Sequence, residues 1–128
     1  MPTLTLSILP HRYAVCRLEP NGVIPSWALL GDDFVSLTRT RDELSVVCMQ
    51  ENVPESAQAA RGWYCAKVEG RFDFSLSGIH VSLAVPLADA GISILSIATY
   101  ETDHLLIQEQ DLERTIQVLE AAGHHVRR

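Results

Sequence analysis

Apolar and polar positions alternate in short runs along most of the chain, and the alternation gives way to a helical period at two main places. Leu4, Leu6 and Ile8 alternate with polar residues until Pro10, which predicts a first strand. Residues 13–18 predict a second strand, stopped by the turn residues Glu19-Pro20-Asn21-Gly22. After Pro25, residues 26–30 predict a single helical turn. Residues 34–40 and 44–49 predict two more strands, joined by the polar connection Arg41-Asp42-Glu43. Residues 51–61 mix Pro54, Ser56 and Gln58 with Ala59-Ala60, and read as a surface connection between two halves.

The second half is more regular. Residues 62–70 predict a strand and residues 71–78 a loop, with Ser77 as the N-cap of a helix that begins near Gly78. Ile79, Leu83, Leu87 and Ala90 share one helical face, and Gly91 ends the helix. Residues 93–100 alternate like a half-buried strand, Glu101-Thr102-Asp103 has turn chemistry, and residues 104–108 predict another strand. Asp111 reads as the N-cap of a second helix with Leu112, Ile116 and Leu119 on one face, Gly123 as its stop, and residues 124–126 as a last short strand. The order β-α-β-β-α-β is that of the split β-α-β, ferredoxin-like plan: an α+β fold whose antiparallel sheet carries both helices on one face. The first half has strands but little helix and is expected to be an abbreviated copy, which divides the chain into modules 1–60 and 61–128.

Composition narrows the chemistry. The chain has 128 residues, 47% hydrophobic and 20% charged, which is globular, and a net charge of −6, which argues against nucleic acid. Cys16, Cys48 and Cys65 are an odd number, each inside an apolar run, and read as buried thiols in a reducing compartment. No segment approaches the roughly 20 apolar residues that cross a bilayer, and the N-terminus lacks a signal-peptide pattern, so a cytoplasmic protein is expected. His11, His80, His104, His124 and His125 share no ligand spacing with a carboxylate or cysteine, so no metal is expected. No Cys–His pair or phosphate-binding glycine loop points to catalysis or a cofactor. One constellation stands out. A loop closing onto a helix start at Ser77-Gly78-Ile79 offers N–H groups and a helix dipole to an anion, and Asp103 ends the neighbouring strand where it can hold a cation. The pair suits a zwitterion.

Several motifs occur together in order: Asp42-Glu43-Leu44-Ser45-Val46-Val47-Cys48, Gly70-x-Phe72-Asp73-Phe74-x-Leu76-x-Gly78-Ile79, Pro86-Leu87-Ala88-x-Ala90-Gly91-Ile92 and Thr99-Tyr100-x-Thr102-Asp103. In this arrangement the chain resembles the small bacterial tandem ACT-domain proteins, which are similar to one half of the animal cytosolic arginine sensors of the CASTOR type. The resemblance implies two ferredoxin-like ACT modules in a homodimer, binding an amino acid where modules meet and acting through an unidentified protein partner. It implies that Ser45 and Val46 lie on a ligand-contacting strand, that Ser77, Gly78 and Ile79 receive the amino acid's main-chain groups, and that Thr99, Tyr100 and Asp103 close over it. Leu76 and Tyr100 would shape the side-chain pocket. One departure matters: the arginine sensors have an acidic residue where this chain has Leu76, so the resemblance does not carry arginine specificity. The expected function is that of a non-catalytic amino-acid sensor, the alternative being an ACT-fold interaction module that binds no ligand.

Overall fold

The computed structural model describes residues 3–69 and 78–128. In chain order the elements are β1 (Thr5–Leu18), a 3-10 turn at Ser26–Leu29, β2 (Ser36–Arg39), β3 (Leu44–Met49), β4 (Ala59–Val68), α1 (Gly78–Asp89), β5 (Ile94–Ala98), β6 (Asp103–Gln108), α2 (Leu112–Ala121) and β7 (His125–Arg127). Short 3-10 turns also follow β3 and precede α2. From β4 onward the order is the expected β-α-β-β-α-β. The chain divides into two compact units, Met1–Pro10 with Tyr64–Arg128, and His11–Trp63. β1 and β4 each run through both.

In the first unit the strand order is β7, β1, β4, β6, β5. The first residues of β1 run parallel to β7, with Thr5 opposite His125 and Ser7 opposite Arg127. β5 lies antiparallel to β6, from Ile94 opposite Ile107 to Ala98 opposite Asp103. Leu4, Leu6, Ala66, Val68, Leu105, Ile107 and Val126 alternate along their strands and gather in one core with Ile79, Leu83 and Leu87 of α1 and Leu112, Ile116 and Leu119 of α2. Side chains two apart on a strand share a face, so both helices cover the same side of this sheet.

The ends of α1 follow from local chemistry. Gly91 takes φ +72°, and the N–H groups of Gly91 and Ile92 bond to the carbonyls of Ala88 and Leu87, a left-handed stop that glycine enters without strain. Inside the helix, Pro86 has no N–H to give the carbonyl of Ser82. His124, buried at the end of the chain, supplies that donor. Its Nε2 lies 2.8 Å from the Ser82 carbonyl oxygen, while Nδ1 accepts the Leu4 N–H at 3.1 Å. With Nδ1 accepting, the ring proton resides on Nε2.

The second unit orders its strands β2, β3, β1, β4, all without an α-helix among the described residues. β1 and β3 run antiparallel from Tyr13 opposite Met49 to Leu18 opposite Leu44, and β2 pairs antiparallel with β3. Ala14, Cys16, Leu44, Val46, Cys48 and Val53 form its core with Ala28, which the 3-10 turn delivers fully buried.

Three local expectations change. β1 is one strand of 14 residues, and Pro10 does not end it. Pairing with β7 stops at Ser7 and pairing with β3 starts at Tyr13, so Pro10 falls between partners on that side, where a missing N–H costs no ladder bond. The last part of the expected surface connection, from Ala59, already belongs to β4. Asp111 precedes α2, but its side chain makes no cap bond; a 3-10 turn at Glu109–Asp111 leads into the helix instead.

Candidate functional site

The turn between β5 and β6 is closed by its own threonines. The Thr99 N–H donates to the Thr102 carbonyl at 2.8 Å, and the Thr99 hydroxyl donates to the same oxygen at 2.9 Å while accepting the Thr102 N–H at 3.3 Å. The buried Thr102 hydroxyl donates to the Val68 carbonyl at 2.5 Å, fastening this turn to the end of β4. Asp103 follows as the first residue of β6. Its position is therefore fixed by backbone pairing on one side and by a threonine latch on the other.

α1 begins on the same unit at Gly78. Ile79 is buried in the core, which sets the rotation of the first turn, and the Ser82 hydroxyl donates to the Ile79 carbonyl at 2.8 Å. The first-turn N–H groups have no carbonyl acceptor within the helix, and no acidic side chain stands in that turn. His80, on the solvent side, brings Nδ1 to 3.3 Å from Asp103 Oδ2. The helix start and the Asp103 carboxylate thus meet, and the side-chain exposures, 61% for His80 and 21% for Asp103, leave the carboxylate the more sheltered partner.

Lys67, Glu69 and Arg127 of this unit are paired with one another. Glu69 accepts the Ser7 hydroxyl at 2.8 Å and pairs with Lys67 at 3.5 Å and Arg127 at 3.2 Å. The Ser7 hydrogen bond first, and the two cations after it, hold its carboxyl below the usual range. Burial pushes the His104 imidazole below its ordinary value, with the Lys67 charge adding to the effect. The three thiols are buried, and burial raises them all: Cys48 to about 11, with Cys16 adding to the rise, and Cys65 to about 12. Thiols so placed are poor nucleophiles. Among the described residues no group of His, Cys, Asp and Glu side chains is arranged to hold a metal ion. No helix among them is long and apolar enough to cross a membrane.

Of the residues expected at the site, Gly78, Ile79, Thr99, Tyr100 and Asp103 belong to one unit. Tyr100 stands 77% exposed on the turn. Ser45 and Val46 lie on β3 in the other unit, where Ser45 faces Arg17 and Val46 faces Cys16 across the ladder. Leu76 and Ser77 lie outside the described residues. Two residues of the constellation were missed. Thr102 is legible in hindsight, because threonines three apart around a turn bond each other's backbone. His80 carried no local signal, since its partner is on another element.

Comparison with known proteins places these features. A model of the ACT domain matches residues 58–121, and a second model, for an N-terminal domain, matches residues 11–56. The human protein CASTOR3P is 31% identical over 114 residues, covering 77% of this chain and 70% of that protein. The bovine cytosolic arginine sensor for mTORC1 subunit 1 is 29% identical over 137 residues, covering 91% of this chain. The chain spans 42% of that sensor's length. Among solved structures, protein Atu0741 from Agobacterium tumefaciens superposes with a TM-score of 0.92 at 42% identity, covering 98% of this chain and 93% of that one.

Proposed function

This chain belongs to the ACT-domain family, and from that membership we propose that it is a regulatory protein without catalytic activity that senses an amino acid. Residues 61–128 act as a full ACT module of order β-α-β-β-α-β, and residues 1–60 as an abbreviated one. The observation that carries the reading is the meeting of the α1 start with the Asp103 carboxylate, bridged by His80 at 3.3 Å. N–H groups at Gly78 and Ile79 take the ligand carboxylate, Asp103 takes its ammonium, and Thr99 and Tyr100 close the turn over it. The relatives named as arginine sensors support an amino acid as the class of ligand. The protein works in the cytoplasm as a homodimer, and an unidentified protein partner reads its ligand state.

A thermal-shift screen against the twenty common amino acids tests this. Ligand at about 100 times its Kd adds roughly 2.7 kcal/mol, a rise on the order of 10 °C for a chain this size. The expected result is a selective rise that Asp103→Ala abolishes; a flat screen on folded protein overturns the reading. A flat screen favours the second reading, a ligand-free interaction module. Its supporting observation is exposed apolar surface: β5 ends the strand order with Leu95 43% exposed, and Val81 and Val85 on α1 are 48% and 44% exposed. Asp103→Ala then leaves oligomerisation unchanged.

A further inference from the structure

Resting on the amino-acid-binding reading, we infer that His80 is a built-in competitor for Asp103 that makes ligand affinity depend on pH. Asp103 Oδ2 is already engaged by His80 Nδ1 at 3.3 Å. The ligand's ammonium requires the same carboxylate. His80 is 61% exposed in its side chain, and the neighbouring Ile79 is buried, so the helix start is fixed while the imidazole is free to rotate away.

The sign follows from the donors. A neutral imidazole offers Asp103 an uncharged N–H or a lone pair, whereas an imidazolium offers a charged donor, and the charge-assisted bond is the stronger. His80 therefore holds Asp103 most firmly when protonated, and a zwitterion binds most weakly there.

Among the described residues, His104 follows Asp103 on β6 and feels its charge, and burial holds its imidazole below the ordinary value; the charge it gains in acid acts alike with or without His80. Lys67 on β4 is engaged by Glu69 at 3.5 Å. From α2, Arg114 bonds the Ala90 carbonyl beyond the far end of α1, and Glu113 pairs with Arg128 at 2.6 Å. Asp89 closes α1 at that same far end, and β5 carries no charge. Glu101, exposed on the turn before Asp103, is unchanged between the native chain and a His80 variant. An exposed pair of this kind alters affinity by about two- to fivefold.

Two measurements on the full chain decide it. The first compares the side-chain NMR signals of His80 in the native chain and in Asp103→Asn at a single pH of about 5.5. The expected result is a displaced His80 signal in Asp103→Asn; an unchanged signal means the pair does not form in solution and overturns the inference. The second measures binding of the twenty common amino acids by calorimetry at about pH 5.5 and 7.5, in the native chain and in His80→Gln, whose side chain is polar and never titrates. Weaker binding in acid for the native chain, with the two pH values equal in His80→Gln, supports competition. An equal loss in both proteins overturns it while leaving the amino-acid reading intact. No binding to either protein at either pH removes that reading, and the competition with it.

Discussion

Pro86 takes an N–H out of α1, and the imidazole of His124 supplies the missing donor to Ser82 while accepting the Leu4 N–H. Replacing it with an apolar residue leaves two buried backbone groups unpaired, at about 1–3 kcal/mol each. His124→Leu is therefore expected to lower the urea-unfolding free energy by roughly 2–6 kcal/mol. His104 acts through protons instead. Its native value is depressed below 6.5 by burial, so below that pH the unfolded chain binds the extra proton first. Stability should hold above about pH 7, fall as pH drops through 6.5, and level off once the native imidazole is also charged. Urea titrations at successive pH values check this, the part of the slope due to His104 disappearing in His104→Gln. Cys65, with its thiol pushed up to about 12 by burial, should resist an aromatic disulfide reagent at neutral pH until the chain is unfolded.

At the scale of elements, the two helices were legible because each buries a continuous face and each ends on a glycine. Ile79, Leu83, Leu87, Leu112, Ile116 and Leu119 are all buried as their spacing requires. Gly91 tests the stop directly. A Cβ there would meet nothing within 4 Å, so the cost of Gly91→Ala is that of the left-handed backbone alone, about 1–2 kcal/mol in thermal or chemical unfolding. β1 was not legible as one strand. Proline punctuates a sequence wherever it occurs, and whether its missing N–H matters depends on which neighbour stands beside it, which a single strand's sequence does not contain. The β5–β6 turn shows the same limit at the site: its place in the order was readable, but the latch from Thr102 to Val68 and the contact from His80 to Asp103 link residues that are far apart in the chain. Asp103, expected at the end of the strand before the turn, pairs with Ala98 and is the first residue of β6 instead.

For the whole molecule, Met1–Pro10 and Tyr64–Arg128 make up one compact unit. Leu4 and Leu6 are in the same core as both helices, and β1 stands between β7 and β4 in the strand order. A fragment spanning 61–128 has all the helices of the ACT module yet lacks that strand. It is expected to show no cooperative unfolding transition by circular dichroism, whereas the full chain does. Sequence periodicity cannot assign a strand to one core or another when its apolar alternation suits both. The parallel pairing of Thr5 with His125 also has a meaning in time. During synthesis the first strand leaves the ribosome more than a hundred residues ahead of the segment it must pair with, so this pairing is among the last contacts the sheet can make. A stop codon placed just before β7 would thus leave Thr5–Ser7, made long before, without their parallel neighbour.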